Sequence, residues 1–286
     1  MVPPPHPVSS AADLELSVAL LLGDTDAEQG RFPEHALPPR VALGRVRALR
    51  VTDAAPRCNL ASFVTTEIEP EAREVVDEAR AVNEIDAEEY PSMDLMRGLA
   101  LTWLADLWHA PPLPAGVLPV GADTVGSSEA ILLAAMAAKR RWRERRRAEG
   151  LPTDRPNIVL PVDAHVCWEK SANYFDLEAK WVPARAGEWL SRVEDLADAA
   201  DEHTVLIAAI LGSTFTGRYY DVKKLDALVG AKNVANPGWG LAIHVDGASG
   251  GFLAPFANPD LVWDFRLENV ASINASGHKF GQALAG

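Results

Sequence analysis

The chain has 286 residues, 48% of them hydrophobic, enough to bury one large core or a core with a small appendage. Its net charge of −13 argues against a general nucleic-acid binder, because phosphate backbones select basic faces. Cys58 and Cys167 form neither a disulfide framework nor a metal-ligand spacing, Met1-Val-Pro-Pro-Pro is no signal peptide, and no apolar run reaches the roughly 20 residues of a membrane span, so a cytoplasmic protein is expected.

Residues 1–57 read as an N-terminal segment rich in proline. A helix is expected from Ala11 to Leu22, with Asp13 and Glu15 in its first turn, where the helix dipole favours acids. Leu37-Pro-Pro-Arg40 reads as part of a connector. Beyond it, Val75, Val76, Ala79 and Val82 recur at helical spacing in a helix from about Glu69 to Asn83, with Pro70 near its start. The apolar residues from Asp94 to Trp108 predict an amphipathic to buried scaffold helix, stopped by Pro111-Pro112. Gly126-Ser127-Ser128-Glu129 then opens an alanine-rich helix that closes at Gly150. Hydroxyls and free N–H groups at such a start form an anion site. The seven basic residues between Lys139 and Arg147 read as a solvated tail that complements the negative end of the helix.

The second half alternates strands with helices. Asn157-Ile-Val-Leu-Pro161 is a buried strand that delivers His165 beyond its end, and Trp181-Val-Pro is an edge strand. A helix from Asp195 to Asp201 precedes the most apolar strand, Thr204 to Leu211, which empties into a turn carrying Thr214. After a helix from Asp221 to Leu228, the run Leu241-Ala-Ile-His-Val-Asp246 ends on an acid, and Val270-Ala-Ser-Ile-Asn274 empties into Ser276-Gly-His-Lys279. This alternation predicts an α/β fold, a mostly parallel sheet with helices on both faces. Ligands bind at the carboxyl ends of such strands. An acid and an amine there suit pyridoxal phosphate, with the amine condensing with its aldehyde and the carboxylate keeping its ring nitrogen protonated.

The stretches Cys58-Asn-Leu-Ala-Ser-Phe63, Asp86-Ala-Glu-Glu-Tyr-Pro91, Ala105-Asp-Leu-Trp-His-Ala-Pro111, Gly126-Ser-Ser-Glu-Ala130, Val166-Cys-Trp-Glu-Lys170, His244-Val-Asp246 and Ser276-Gly-His-Lys279 resemble, in order, the fold-type I, group II pyridoxal-phosphate decarboxylases. Gly250-Gly-Phe-Leu-Ala-Pro-Phe256 and Trp263-Asp-Phe-Arg266 extend the similarity, which runs from about residue 55 to 281. The resemblance implies an aspartate-aminotransferase-like large domain over residues 58–286 and α-decarboxylation of an amino acid, glutamate first among them. It implies that Lys279 and Asp246 serve the cofactor's aldehyde and ring nitrogen, Ser127 and Ser128 its phosphate, His165 the ring face, Thr214 the ring surroundings, and His278 the phosphate or substrate. Ser62, Phe63, Asn83 and Asp86 are implied for the substrate's distal carboxylate. The glutamate-acting members usually have threonine at the position of Ser62 and often glutamine at that of His165, where the wider group has histidine.

Family chains continue through the rest of the large domain and a C-terminal small domain, and they pair as dimers around the active site. The expectation is therefore an incomplete chain of low stability, slower than its full-length relatives by at least about a hundredfold. Two other readings compete: a fold that has lost catalysis, and a non-haem iron centre built from His244, Asp246 and His278. The iron reading fits poorly with helices alternating between strands, and it leaves Lys279 and Ser127 without a role.

Overall fold

The computed structural model describes residues 36–59, 64–83, 85–114 and 116–284. The helix expected over Ala11–Leu22 and the site residues Ser62 and Phe63 lie outside the described residues. The chain divides into two units, residues 1–55 and 56–286. In the first, α1 (Pro39–Leu49) begins on a proline, whose missing N–H costs nothing in a first turn, and runs into a 3-10 turn over Arg50–Thr52. The start of α1 thus takes in part of the expected connector.

The second unit holds α2 (Pro70–Glu78), α3 (Pro91–Leu107), α4 (Ser127–Ala148), β1 (Asn157–Pro161), α5 (Val166–Tyr174), β2 (Glu178–Val182), α6 (Val193–Ala199), β3 (Thr204–Ile210), α7 (Val222–Ala235), β4 (Ile243–Asp246), the short α8 (Ala254–Ala257) and β5 (Val270–Asn274). The five strands pair in parallel in the order β2-β1-β3-β4-β5. All residues of β1, β3 and β4 are buried, while the outer strands β2 and β5 are partly open, and the central strand β3 is accordingly the longest apolar run.

Strand order also fixes which face each helix covers. The step from β1 to β2 runs one way across the sheet, and the steps from β2 to β3 and on to β4 run the other way. Right-handed crossovers therefore put α5 on one face and α6 and α7 on the opposite face. The packing agrees: α4 lies against α5, and α6 against α7. The direction reverses between β1 and β3, the place where open sheets of this kind leave a crevice at their carboxyl ends.

Three local readings of the sequence differ from the structure. α3 buries none of its residues: Leu104 and Leu107 pack on the core, but Leu95, Met96, Leu99 and Trp103 face outward, with Trp103 68% exposed. Its apolar stripe has no cover among the described residues. The basic end of α4 is only partly solvated, since Arg146 is buried. Arg146 stacks 5.3 Å from the Trp142 ring and donates to Pro152 O at 2.6 Å and Glu202 O at 3.1 Å, while Arg145 donates to Gly238 O at 3.0 Å. These arginines tie the helix end to the loops that enter the sheet. Finally, α5 is a helix that periodicity did not signal; it starts where His165 accepts the Cys167 N–H at 3.4 Å.

The turn after β4 requires glycine. The Gly250 N–H donates to Leu211 O at 2.8 Å, and a Cβ added at Gly250 would lie 2.3 Å from that same oxygen. Gly250→Ala is expected to lower the stability of the chain by about 2–3 kcal/mol, because backbone rather than a flexible side chain must move. Urea unfolding measures this, and a loss below about 0.5 kcal/mol would refute it.

Candidate active site

A cavity of about 300 Å³ opens at the carboxyl ends of β1, β3, β4 and β5, and Asp246 and Lys279 both line it. A larger open groove of about 550 Å³, bordered by Lys139, Arg143, Arg147 and Arg155, lies where β1 and β2 begin, the wrong end of a parallel sheet for a ligand crevice. The smaller cavity has the chemistry.

Asp246 ends β4 and is 4% exposed. Trp168 Nε1 donates to its Oδ2 at 2.9 Å, while the Ala248 N–H at 3.2 Å and Asn274 Nδ2 at 3.4 Å donate to Oδ1. Three donors face a group that, ionised, only accepts. Asn274 stands beside Asp246 in the β4–β5 register, and its amide also donates to Ser127 Oγ at 2.9 Å. Its carbonyl oxygen is thus left to accept from His244 Nε2, 2.7 Å away, and His244 Nδ1 accepts from the Ser272 hydroxyl at 2.8 Å. Desolvation pushes the His244 pKa down, and the imidazole is neutral with both nitrogens engaged. This overturns the iron reading on donor geometry: His244 has no lone pair to offer a metal, and no group of three His, Cys, Asp or Glu able to hold a metal ion occurs among the described residues.

Lys279 is 7% exposed, and burial lowers its pKa, opposed by the nearby Asp246 carboxylate. The loop that carries it is pinned from another part of the chain. The Thr66 N–H donates to His278 O at 3.1 Å, the Thr66 hydroxyl donates to Lys279 O at 2.9 Å, and Thr65 Oγ1 lies 3.2 Å from His278 Nδ1. His278 lines the cavity with a pKa lowered first by burial and then by Lys279.

α4 reaches the cavity through its N-terminus. Gly126 precedes it at φ 155°, and no side chain caps the helix start, so its first N–H groups are left for an anion. Ser127 Oγ is 2.6 Å from Ser276 Oγ, locking α4 to the β5 loop, and Ser128 lines the cavity. Thr214 and His165 line it as well. Desolvation lowers the His165 pKa, opposed by Asp246 and reinforced by Lys279 and Lys170. Burial and the Asp246 charge push the Cys167 thiol up to about 12, so it packs as an inert group 3.1 Å from His165 Nδ1.

Two expected substrate residues do not reach this cavity. Asn83 Oδ1 accepts the Ile85 N–H at 3.2 Å, and Asp86 Oδ1 accepts the N–H groups of Glu88 and Glu89 at 3.1 and 3.0 Å, both in exposed turns. Trp168, Asn274, Ser276, Thr65 and Thr66 position the site without having been singled out from the sequence. The register of Asn274 opposite Asp246 is the one signal that pairing of the two strands would have supplied.

The model of the pyridoxal-dependent decarboxylase conserved domain matches residues 51–286. The chain belongs to this family. It is 46% identical to glutamate decarboxylase 5 of Arabidopsis thaliana over 256 residues, 90% of this chain and 51% of that protein. The glutamate decarboxylase of Lactobacillus brevis superposes with a TM-score of 0.80 at 42% identity, covering 92% of this chain and 60% of that one. The sphingosine-1-phosphate lyase of Burkholderia pseudomallei does so at 0.71 and 27% identity, over 90% of this chain and 58% of that one. The chain thus spans about half the length of the curated relatives it matches.

Pyridoxal phosphate fits this cavity. A carboxylate, an amine and an uncapped helix N-terminus converge on it, the complements of a ring nitrogen, an aldehyde and a phosphate. Asp163, buried in the same wall, also has an oxygen, Oδ2, with no hydrogen-bond partner.

Proposed function

We propose that the protein is a cytoplasmic glutamate decarboxylase, removing the α-carboxylate of L-glutamate as carbon dioxide and leaving 4-aminobutanoate. The observation that carries the decarboxylase reading is the pairing of buried Asp246 and Lys279 in one cavity beside the open start of α4. The choice of glutamate is supported by the 46% identity to a plant enzyme named for it. The free thiols of Cys58 and Cys167 suit a reducing compartment, and no helix among the described residues is long and apolar enough to cross a membrane.

Bound in the cavity, pyridoxal phosphate supplies an electron sink for the pair left behind by the departing carboxylate. The chain's residues prepare that event. Lys279 Nζ would hold the cofactor at its aldehyde carbon. Asp246 holds a proton at the ring nitrogen through a charge-assisted hydrogen bond, with Trp168 and Asn274 fixing the carboxylate's plane. Ser128, Ser127 and the first N–H groups of α4 hold the phosphate, His165 covers the ring, Thr214 borders it, and His278 meets phosphate or substrate.

Ser62, Phe63, Asn83 and Asp86 receive the distal carboxylate when two copies of the chain pair. Leu95, Leu99 and Trp103 form a stripe at four-residue spacing on α3, an exposed apolar face of the kind that a homodimer buries. Glutamate should be turned over at least about a hundredfold faster than an aromatic amino acid, because a site built for a second carboxylate leaves its polar groups unpaired around a ring. Comparable rates for the two in a carbon dioxide release assay would remove glutamate and leave the decarboxylase class standing.

A further inference from the structure

Asp163 lies two residues past β1 and is 7% exposed, and its two oxygens are treated unequally. Oδ1 accepts a 2.6 Å hydrogen bond from the Tyr220 hydroxyl, which itself accepts the Ser191 N–H at 3.1 Å. Burial, followed by the bond to Asp163, pushes the Tyr220 pKa up, so the phenol keeps its proton and remains a donor. Oδ2 is buried without a partner, in a residue that lines the cavity. An unmet carboxylate oxygen inside a protein is costly, and with Oδ1 turned onto Tyr220, Oδ2 is the oxygen left for a ligand's donor.

The cofactor's own donors indicate which one. In pyridoxal phosphate the aldehyde stands opposite the ring nitrogen, and the phosphate arm and the ring hydroxyl flank the aldehyde on opposite sides. Asp246 on β4 and Lys279 past β5 take the nitrogen and the aldehyde. The phosphate end, at the start of α4, is bonded to the β5 side through Ser276 and Asn274. Apart from its phosphate the cofactor has two donors, the ring N–H, which Asp246 takes, and the ring hydroxyl, so the hydroxyl is the donor left for the wall to which the loops after β3 and β1 bring Thr214 and Asp163. We infer that Asp163 Oδ2 accepts a hydrogen bond from the ring hydroxyl of the cofactor, positioning the ring and favouring the protonated form of that hydroxyl, with Tyr220 holding the carboxylate in place. The inference rests on pyridoxal phosphate occupying this cavity and is independent of which amino acid is the substrate.

The test titrates the 286-residue chain and its Asp163→Asn, Asp163→Ala, Tyr220→Phe and Thr214→Val variants with pyridoxal phosphate alone. Affinity is read from quenching of tryptophan fluorescence, and the state of the hydroxyl from the ratio of the two absorption bands of its protonated and ionised forms. Asp163→Asn keeps the size of the side chain and an acceptor for Tyr220, yet should bind about tenfold more weakly and shift the ratio toward the ionised form. Asp163→Ala should shift it the same way, and Tyr220→Phe, which leaves the carboxylate, should not. If Asp163 only braces the fold, Asp163→Ala and Tyr220→Phe will lower the melting temperature of the cofactor-free chain while Asp163→Asn matches the parent in affinity and band ratio; that result overturns the inference. So does a shift in Thr214→Val with none in Asp163→Asn. A parent chain that takes up no cofactor overturns the reading of the cavity, and this inference with it.

Discussion

Lys279→Ala is expected to abolish the visible absorbance that pyridoxal phosphate acquires on this protein and to lower decarboxylation by on the order of 10⁴-fold, about 5 kcal/mol of transition-state stabilisation. Lys279 is the buried amine of the cavity wall, and alanine leaves nothing there to bond the aldehyde carbon. Only the unprotonated amine can attack. Burial lowers the Lys279 pKa, so the reactive fraction at a given pH exceeds that of a free lysine, and cofactor uptake should rise with pH through a midpoint below the usual value of about 10.4. Asp246 opposes that shift, so removing its charge should move the midpoint lower still. An unchanged visible band in Lys279→Ala would end the assignment of this residue.

Asp246→Asn should retain cofactor and lose about 10³-fold in turnover, roughly 4 kcal/mol. A neutral amide cannot favour a protonated ring nitrogen as a carboxylate does. The local network makes the change worse than a lost charge. Trp168 donates to one oxygen, and Ala248 and Asn274 donate to the other, so an amide NH₂ in either position faces a donor. Each such confrontation inside a protein costs about 1–3 kcal/mol, and the melting temperature should fall alongside the rate. Turnover within tenfold of the parent would contradict this account of Asp246.

What could be read from the sequence follows from where each residue's partners lie. Asp246 and Lys279 end or follow runs of apolar residues, and an ionisable group at such a place stands out before any folding is known. β3 was legible for a related reason: burial on both faces leaves a nearly unbroken apolar run. Trp168 and Asn274 were opaque because their role depends on a hydrogen bond to a residue 78 or 28 positions away. Thr65 and Thr66 are more remote still, 213 positions from the groups they hold. α3 misled because an apolar stripe has the same pattern whether its cover comes from its own fold or from outside the described chain. Arg146 misled because a cation in a basic run reads as solvated, whereas the neighbouring Trp142 ring and two carbonyl oxygens draw it inward.

The parallel sheet also sets a timetable for the growing chain. Among the described strands β5 is synthesised last, and it brings Asn274, Ser276 and Lys279 with it. Ser127 waits for a partner 149 residues further along, on the order of 10 s at ribosomal speeds of roughly 5–20 residues per second. For the last 28 residues of that interval, a few seconds at roughly those speeds, β4, wholly buried in the finished fold, is an uncovered sheet edge, open to pairing with another nascent chain. A chaperone that shields this edge until residue 274 emerges should therefore raise the yield of folded protein, and pyridoxal phosphate, which needs Lys279, cannot substitute for it during synthesis.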